Sequence, residues 1–170
     1  PPAAPTAPPP SGPTAPSPPP TAPPSDDVVV TLTASPTTIH GGSPVALVLS
    51  ATNHRNATVW TNVGIVCTGS WDLRLFDASG SEVRIDDRDS MGCASGGFLT
   101  GTLAPGVTAT FNDTWDGNAH PRLGESAPLA PGDYTFRGSV RYGDHANASN
   151  MDGAPGVVSR NASVVVRVDG

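Results

Sequence analysis

The chain has 170 residues, a formal net charge of −6 and a pI near 4.9. Its nine basic residues are all arginine and form no cluster, which excludes a phosphate-backbone binder and so nucleic acid as a partner. No run approaches 18 apolar residues, so no stretch reads as a transmembrane segment.

Residues 1–25 hold 13 prolines and no charged or bulky side chain. Each proline fixes φ, removes a backbone donor and biases its predecessor toward extended backbone. Helix and central strand are both excluded. The expected state is polyproline II, reaching roughly 75 Å at about 3.1 Å per residue. Such a segment serves as a spacer that holds a folded head off a surface, or as a packing element held by a neighbouring subunit. The chain begins at proline with no apolar signal core, and reads as a mature product.

The remaining residues, 26–170, suit one domain with a sizeable core. Val28, Val30 and Leu32 alternate along a first strand that ends before Pro36. Gly41, Gly42 and Pro44 turn the chain into a second strand, with Val45, Leu47 and Leu49 on one face. The run ATVWTNVGIV is a third strand. A hairpin follows, with Trp71, Leu73 and Leu75 alternating against Asp72, Arg74 and Phe76 around a turn at Ala78–Gly80. DDRDSMGCASGG is a loop. Two short strands flank the turn at Ala104–Gly106, the second carrying Val107, Ala109, Phe111 and Trp115. Residues 116–132 form an irregular connection before a strand with Tyr134 and Phe136, and Val164, Val166 and Val168 share one face of the last strand.

Seven to nine short strands between Pro, Gly and Asp turns, with no amphipathic helix, predict an all-β fold: an immunoglobulin-like antiparallel β-sandwich. Trp60, Trp71, Phe76, Phe111, Trp115, Tyr134 and Phe136 are its aromatic core candidates.

Cys67 and Cys93, the only cysteines, lie 26 positions apart. In a lysine-free, proline-rich chain they point to a disulfide in an oxidising compartment; two separate buried thiols are the alternative. Four N-x-S/T sequons, at Asn56, Asn112, Asn147 and Asn161, point to a glycosylated extracellular protein, with Asn56 and Asn161 at strand starts. Asp86, Asp87 and Asp89 beside Ser90 offer the oxygen ligands of a calcium loop, or form a solvated acidic turn. No cofactor is otherwise implied. His40, His54, His120 and His145 fall in four different turns, and no nucleophile elbow or phosphate-cradling loop occurs. An enzyme is not expected.

The later motifs resemble the intracellular proteinase inhibitor family of bacterial Ig-like domains. They run in order from Asn53 through the Asp77–Gly80 turn, Phe98, the Leu103/Pro105/Gly106 turn and Trp115 to Leu129, Pro131, Gly132, Tyr134 and Phe136. The resemblance spans residues 45–142 and implies the sandwich. It also implies a monomeric binding module, for which DDRDSMGCASGG would be the docking loop. The residues themselves favour a non-catalytic extracellular structural module, a cell-surface or pilus-like filament subunit. It would assemble by self-association or cell-envelope contact through Asp26, Val28, Val30 and Leu32 of the segment that follows the proline-rich stretch. A stalked binding module with a protein ligand is the alternative.

The cysteine pairing has a direct check. Denatured but unreduced native protein should titrate no thiol and gain two on reduction; two thiols before reduction would sink the pairing.

Overall fold

A computed structural model describes residues 27–62, 71–85, 100–122, 124–144 and 156–170. The proline-rich segment, Asp26, Cys67, Cys93, the Asp86/Asp87/Asp89 loop, Phe98, His145 and Asn147 lie outside the described residues.

The fold is all-β. The strands are β1 (Val28–Ser35), β2 (Thr38–His40), β3 (Val45–Asn53), β4 (Val59–Asn62), β5 (Trp71–Phe76), β6 (Glu82–Val83), β7 (Thr100–Leu103), β8 (Thr108–Trp115), β9 (Asn118–Ala119), β10 (Ala127–Pro128), β11 (Gly132–Gly143) and β12 (Val157–Asp169). Eight of them have four or more residues. The first sheet is β1-β3-β8, antiparallel throughout. The second runs β2-β12-β11-β4-β7. β5 lies beside β11 along Thr135–Val140, while β4 takes the stretch at Tyr142–Gly143. The chain passes from β1 in the first sheet to β2 in the second through a cis Ser35–Pro36 bond. There β2 runs parallel to β12, the one parallel pairing among the described strands. This opening strand divided between two facing sheets is immunoglobulin-like.

Period-two alternation places the core. In β3, Val45, Leu47, Leu49, Ala51 and Asn53 are buried, and the residues between them face outward. Tyr134, Phe136, Gly138, Val140 and Tyr142 do the same in β11. The sheets meet where the Trp115 ring packs edge-on against Phe136, with centroids 5.2 Å apart. The Trp115 indole N–H donates to the Asn118 carbonyl at 2.7 Å, so its burial strands no donor. Tyr134, at the start of β11, donates its hydroxyl to the Ala130 carbonyl at 2.9 Å and ties that strand to its incoming turn. This is the tyrosine corner of Ig-type sandwiches.

Several expectations are corrected. Phe76 is a surface residue of the second sheet, not a core aromatic: its alternation partners Leu73 and Leu75 take the inner side. Its ring carries the Arg137 guanidinium 4.3 Å from the centroid. Trp60 lies between the buried Val59 and Thr61 and is half-buried on the outer side. Trp71's side chain lies outside the described set. The connection after Trp115 is not wholly irregular, since β9 and β10 pair within it. Ile39, which the strand assignments passed over, is core on β2.

Asn53 is fully buried and fully bonded. Its side-chain amide donates to the carbonyls of Ala57 at 2.9 Å and Leu103 at 2.8 Å, and its oxygen accepts from the Arg55 N–H at 3.0 Å. It thereby stitches the β3–β4 turn to β7. The sheets approach closely at Gly138, where an added Cβ would sit 2.6 Å from Leu49 Cδ1. Gly138→Ala should destabilise the domain by about 1–3 kcal/mol through overpacking. In urea melts, Leu49→Ala together with Gly138→Ala should cost less than the sum of the two single changes. Strict additivity would show that the contact does not limit sheet spacing.

Candidate functional site: the segment junction and the outer faces

Asp27 is the first described residue and the point where the proline-rich segment meets the sandwich. Its carbonyl accepts from the His54 N–H at 2.9 Å, which fixes the backbone to the end of β3. Its carboxylate accepts the Val28 N–H at 2.7 Å and the Tyr142 hydroxyl. It also accepts Arg160 Nε at 2.9 Å and Nη2 at 2.5 Å. Tyr142 and Arg160 belong to β11 and β12, so one carboxylate clips the first sheet to the second. Arg160 pairs with the buried Val140 across the ladder and falls on the inward side of β12. A cation there is tolerable because it lies at the open end of the sandwich and meets a partner.

The charges respond accordingly. The Tyr142 hydroxyl bond, aided by Arg160 and working against desolvation, holds the Asp27 carboxyl down at about 2. Burial, then the adjacent carboxylate, pushes the Tyr142 phenol up to about 12. The arrangement is a mechanical clamp: the phenol and the guanidinium hold the carboxylate ionised.

The segment proposed for assembly begins at this clamp. β1 pairs with β3 over its whole length. Val28 and Leu32 are buried and Val30 packs against the same core, so all three serve their own domain. Any intermolecular use of β1 therefore falls to its outward positions or to the chain before Asp27.

The two outer faces differ sharply. On the first sheet, β1 presents Val29, Thr31, Thr33 and Ser35. β3 presents Ala46, Val48, Ser50 and Thr52, and β8 presents Thr108, Thr110, Asn112 and Thr114. No charged residue stands among these twelve positions. On the second sheet, Arg74 pairs with Asp72 at 2.7 Å and Glu82 at 3.2 Å, and Arg167 pairs with Asp169 at 3.1 Å and Asp133 at 3.3 Å.

Asn56, Asn112 and Asn161 are all exposed. Asn56 lies in the β3–β4 turn. Asn161, expected at a strand start, lies inside β12 opposite Ser139, because that strand begins four residues earlier than the sequence suggested. Asn112 stands on the uncharged face opposite Val48. His120 Nε2 lies 3.1 Å from Asp116 Oδ2 in the connection after β8. Among the described residues, no group of three or more His, Cys, Asp or Glu could hold a metal ion, and no helix is long and apolar enough to cross a membrane.

Sequence reasoning missed the partners of Asp27. Tyr142 and Arg160 lie 115 and 133 positions away, beyond any local signal. The uncharged face was legible, as the even-numbered residues of TATFNDTW and their counterparts in VALVLSATN.

No protein-family model and no curated protein matches the chain. Among solved structures it is similar to the CARDB domain of the PF1109 protein from Pyrococcus furiosus, determined in complex with di-metal ions. The identity is 13%, the TM-score 0.41, and the match covers 84% of this chain and 92% of that one. It is also similar to a PapD-like domain of human CEP192, at 17% identity and a TM-score of 0.40, covering 92% and 94% respectively. At these scores the likeness carries neither ligand nor partner across.

Asp27 has a depressed pKa, so its contribution is present above about pH 4 and is lost as pH falls toward 2. Discounted for its partial exposure, the stabilisation amounts to about 1 kcal/mol. Asp27→Asn should lower the thermal midpoint at pH 7, and the gap from the unaltered chain should close by pH 2. A gap that is constant with pH would show that the clamp does not act through the ionised carboxylate.

Proposed function

We propose that this chain is a non-catalytic extracellular structural module, a cell-surface or filament subunit whose proline-rich N-terminal segment engages a neighbouring copy or the cell envelope. One observation carries the reading: Asp27, two residues beyond the segment, is held by a charged clamp that spans both sheets, with Tyr142 and Arg160 as its partners. A passive spacer needs only a covalent link. A segment that transmits load or fixes an orientation needs its root held to the rigid body, and Asp27 supplies that. The exposure of Asn56 and Asn161 supports an outward-facing, sugar-bearing surface, and the uncharged face of the first sheet offers a surface on which a neighbour can pack.

Electron microscopy and sedimentation velocity on native full-length protein test the reading. Ordered oligomers or fibres are expected, and excess synthetic peptide of residues 1–25 should dissolve them. Isolated particles at all concentrations would sink the assembly reading. Isolated particles that bind a protease in solution would favour the inhibitor-like module that the family resemblance implies.

A further inference from the structure

We infer that the uncharged outer face of the β1-β3-β8 sheet is the acceptor surface for residues 1–25 of a second copy of this chain. The inference rests on the assembly reading and names the surface through which assembly proceeds.

The chemistry of the two partners matches. The segment has 13 prolines among 25 residues, so more than half of its residues offer a carbonyl acceptor and no N–H. In polyproline II those carbonyls have no internal partner. A matching surface must therefore supply donors, present small apolar groups to the proline rings, and bear no charge that would lose its water. The first sheet does all three. Thr31, Ser50 and Thr110 form one cross-strand row, and their hydroxyls make no side-chain bond to the rest of the fold among the described residues. Thr52 and Thr108, by contrast, already bond each other at 2.8 Å. Val29 is 40% exposed on the same face. A shallow groove of about 450 Å³ lies along β3 and β8, lined by Ala46, Leu47, Val48, Asn112 and Thr114, with the half-buried Asp113 as its one charged member. The opposite sheet is the poorer acceptor, because covering it would strip water from the ion pairs of Arg74 and Arg167.

Geometry favours another copy over the chain's own segment. β1 runs away from the clamp at Asp27, so a segment that continued the line of β1 back past that residue would have to reverse to reach its own face. At roughly 75 Å of reach, it exceeds the roughly 40 Å breadth of a domain this size. The β1 and β8 strands are about 27 Å long, which about nine polyproline residues would cover. Occupation of the groove leaves no room for a sugar on Asn112, so in assembled material that sequon is unmodified.

The test uses full-length protein, with a fluorescent synthetic peptide of residues 1–25 followed by anisotropy and assembly followed by sedimentation velocity. Thr31→Arg with Thr110→Arg places two cations on exposed, outward positions. This double variant should weaken peptide binding by roughly tenfold or more and reduce assembly. Ser163→Arg, on the outer face of β12, should leave both unchanged. Unaltered peptide binding in the double variant, equal loss in Ser163→Arg, or a glycan on Asn112 in assembled protein would overturn the assignment. Assembly that proceeds without peptide binding would overturn it too, while leaving a self-associating module in place. A chain that neither binds the peptide nor assembles removes both.

Discussion

The structure turns on a single carboxylate. Asp27 stands where a stretch of chain that cannot build secondary structure meets one that must. Its bonds to Tyr142 and Arg160 come from the sheet opposite its own strand. Without that carboxylate, the Tyr142 hydroxyl and the exposed Arg160 guanidinium would lose the acceptor they share. With it, the end of the sandwich is closed by a bonded polar group where apolar packing runs out.

The same economy governs the rest of the core. Among the described residues, the polar groups that enter it are bonded, as with Asn53, Thr61, Trp115 and Tyr134. Elsewhere the interior is aliphatic and aromatic, and at Gly138 the sheets close so tightly that a Cβ would require the Leu49 side chain to shift. Spacing between the sheets is thus set by a missing Cβ as much as by the bulk of Phe136 and Trp115. The outer faces answer different demands. One is laced with ion pairs that keep it solvated, and the other carries hydroxyls and small apolar groups.

How much of this could be read from the sequence follows from the range of each signal. Alternation in VVVTLTAS, VALVLSATN and the residues after Val164 is local, and it gave the strands, their inward faces and the sandwich. Phe76 misled because an aromatic ring outweighs its place in the alternation on any hydrophobicity scale; the period assigns it outward, where Arg137 covers it. β2 was invisible because three residues pairing in parallel with β12 leave no pattern of their own. The clamp was invisible for a deeper reason. Asp27, Tyr142 and Arg160 are unremarkable one by one, and only the folded topology makes them neighbours. The proline-rich segment was the reverse case: its composition alone fixed what it could not become.

The split of the opening strand between the two sheets bears on how the domain would carry tension. Asp27 is anchored near Arg160 at the start of β12, while β2 is zipped to the far end of that strand, at Arg167–Asp169. Asp27 and Asp169 therefore lie at opposite poles of the sandwich. A pull between them runs along the strands, not across them. The ladders that join β1 to β3 and β2 to β12 would then be loaded in shear, with many hydrogen bonds resisting at once instead of peeling one after another.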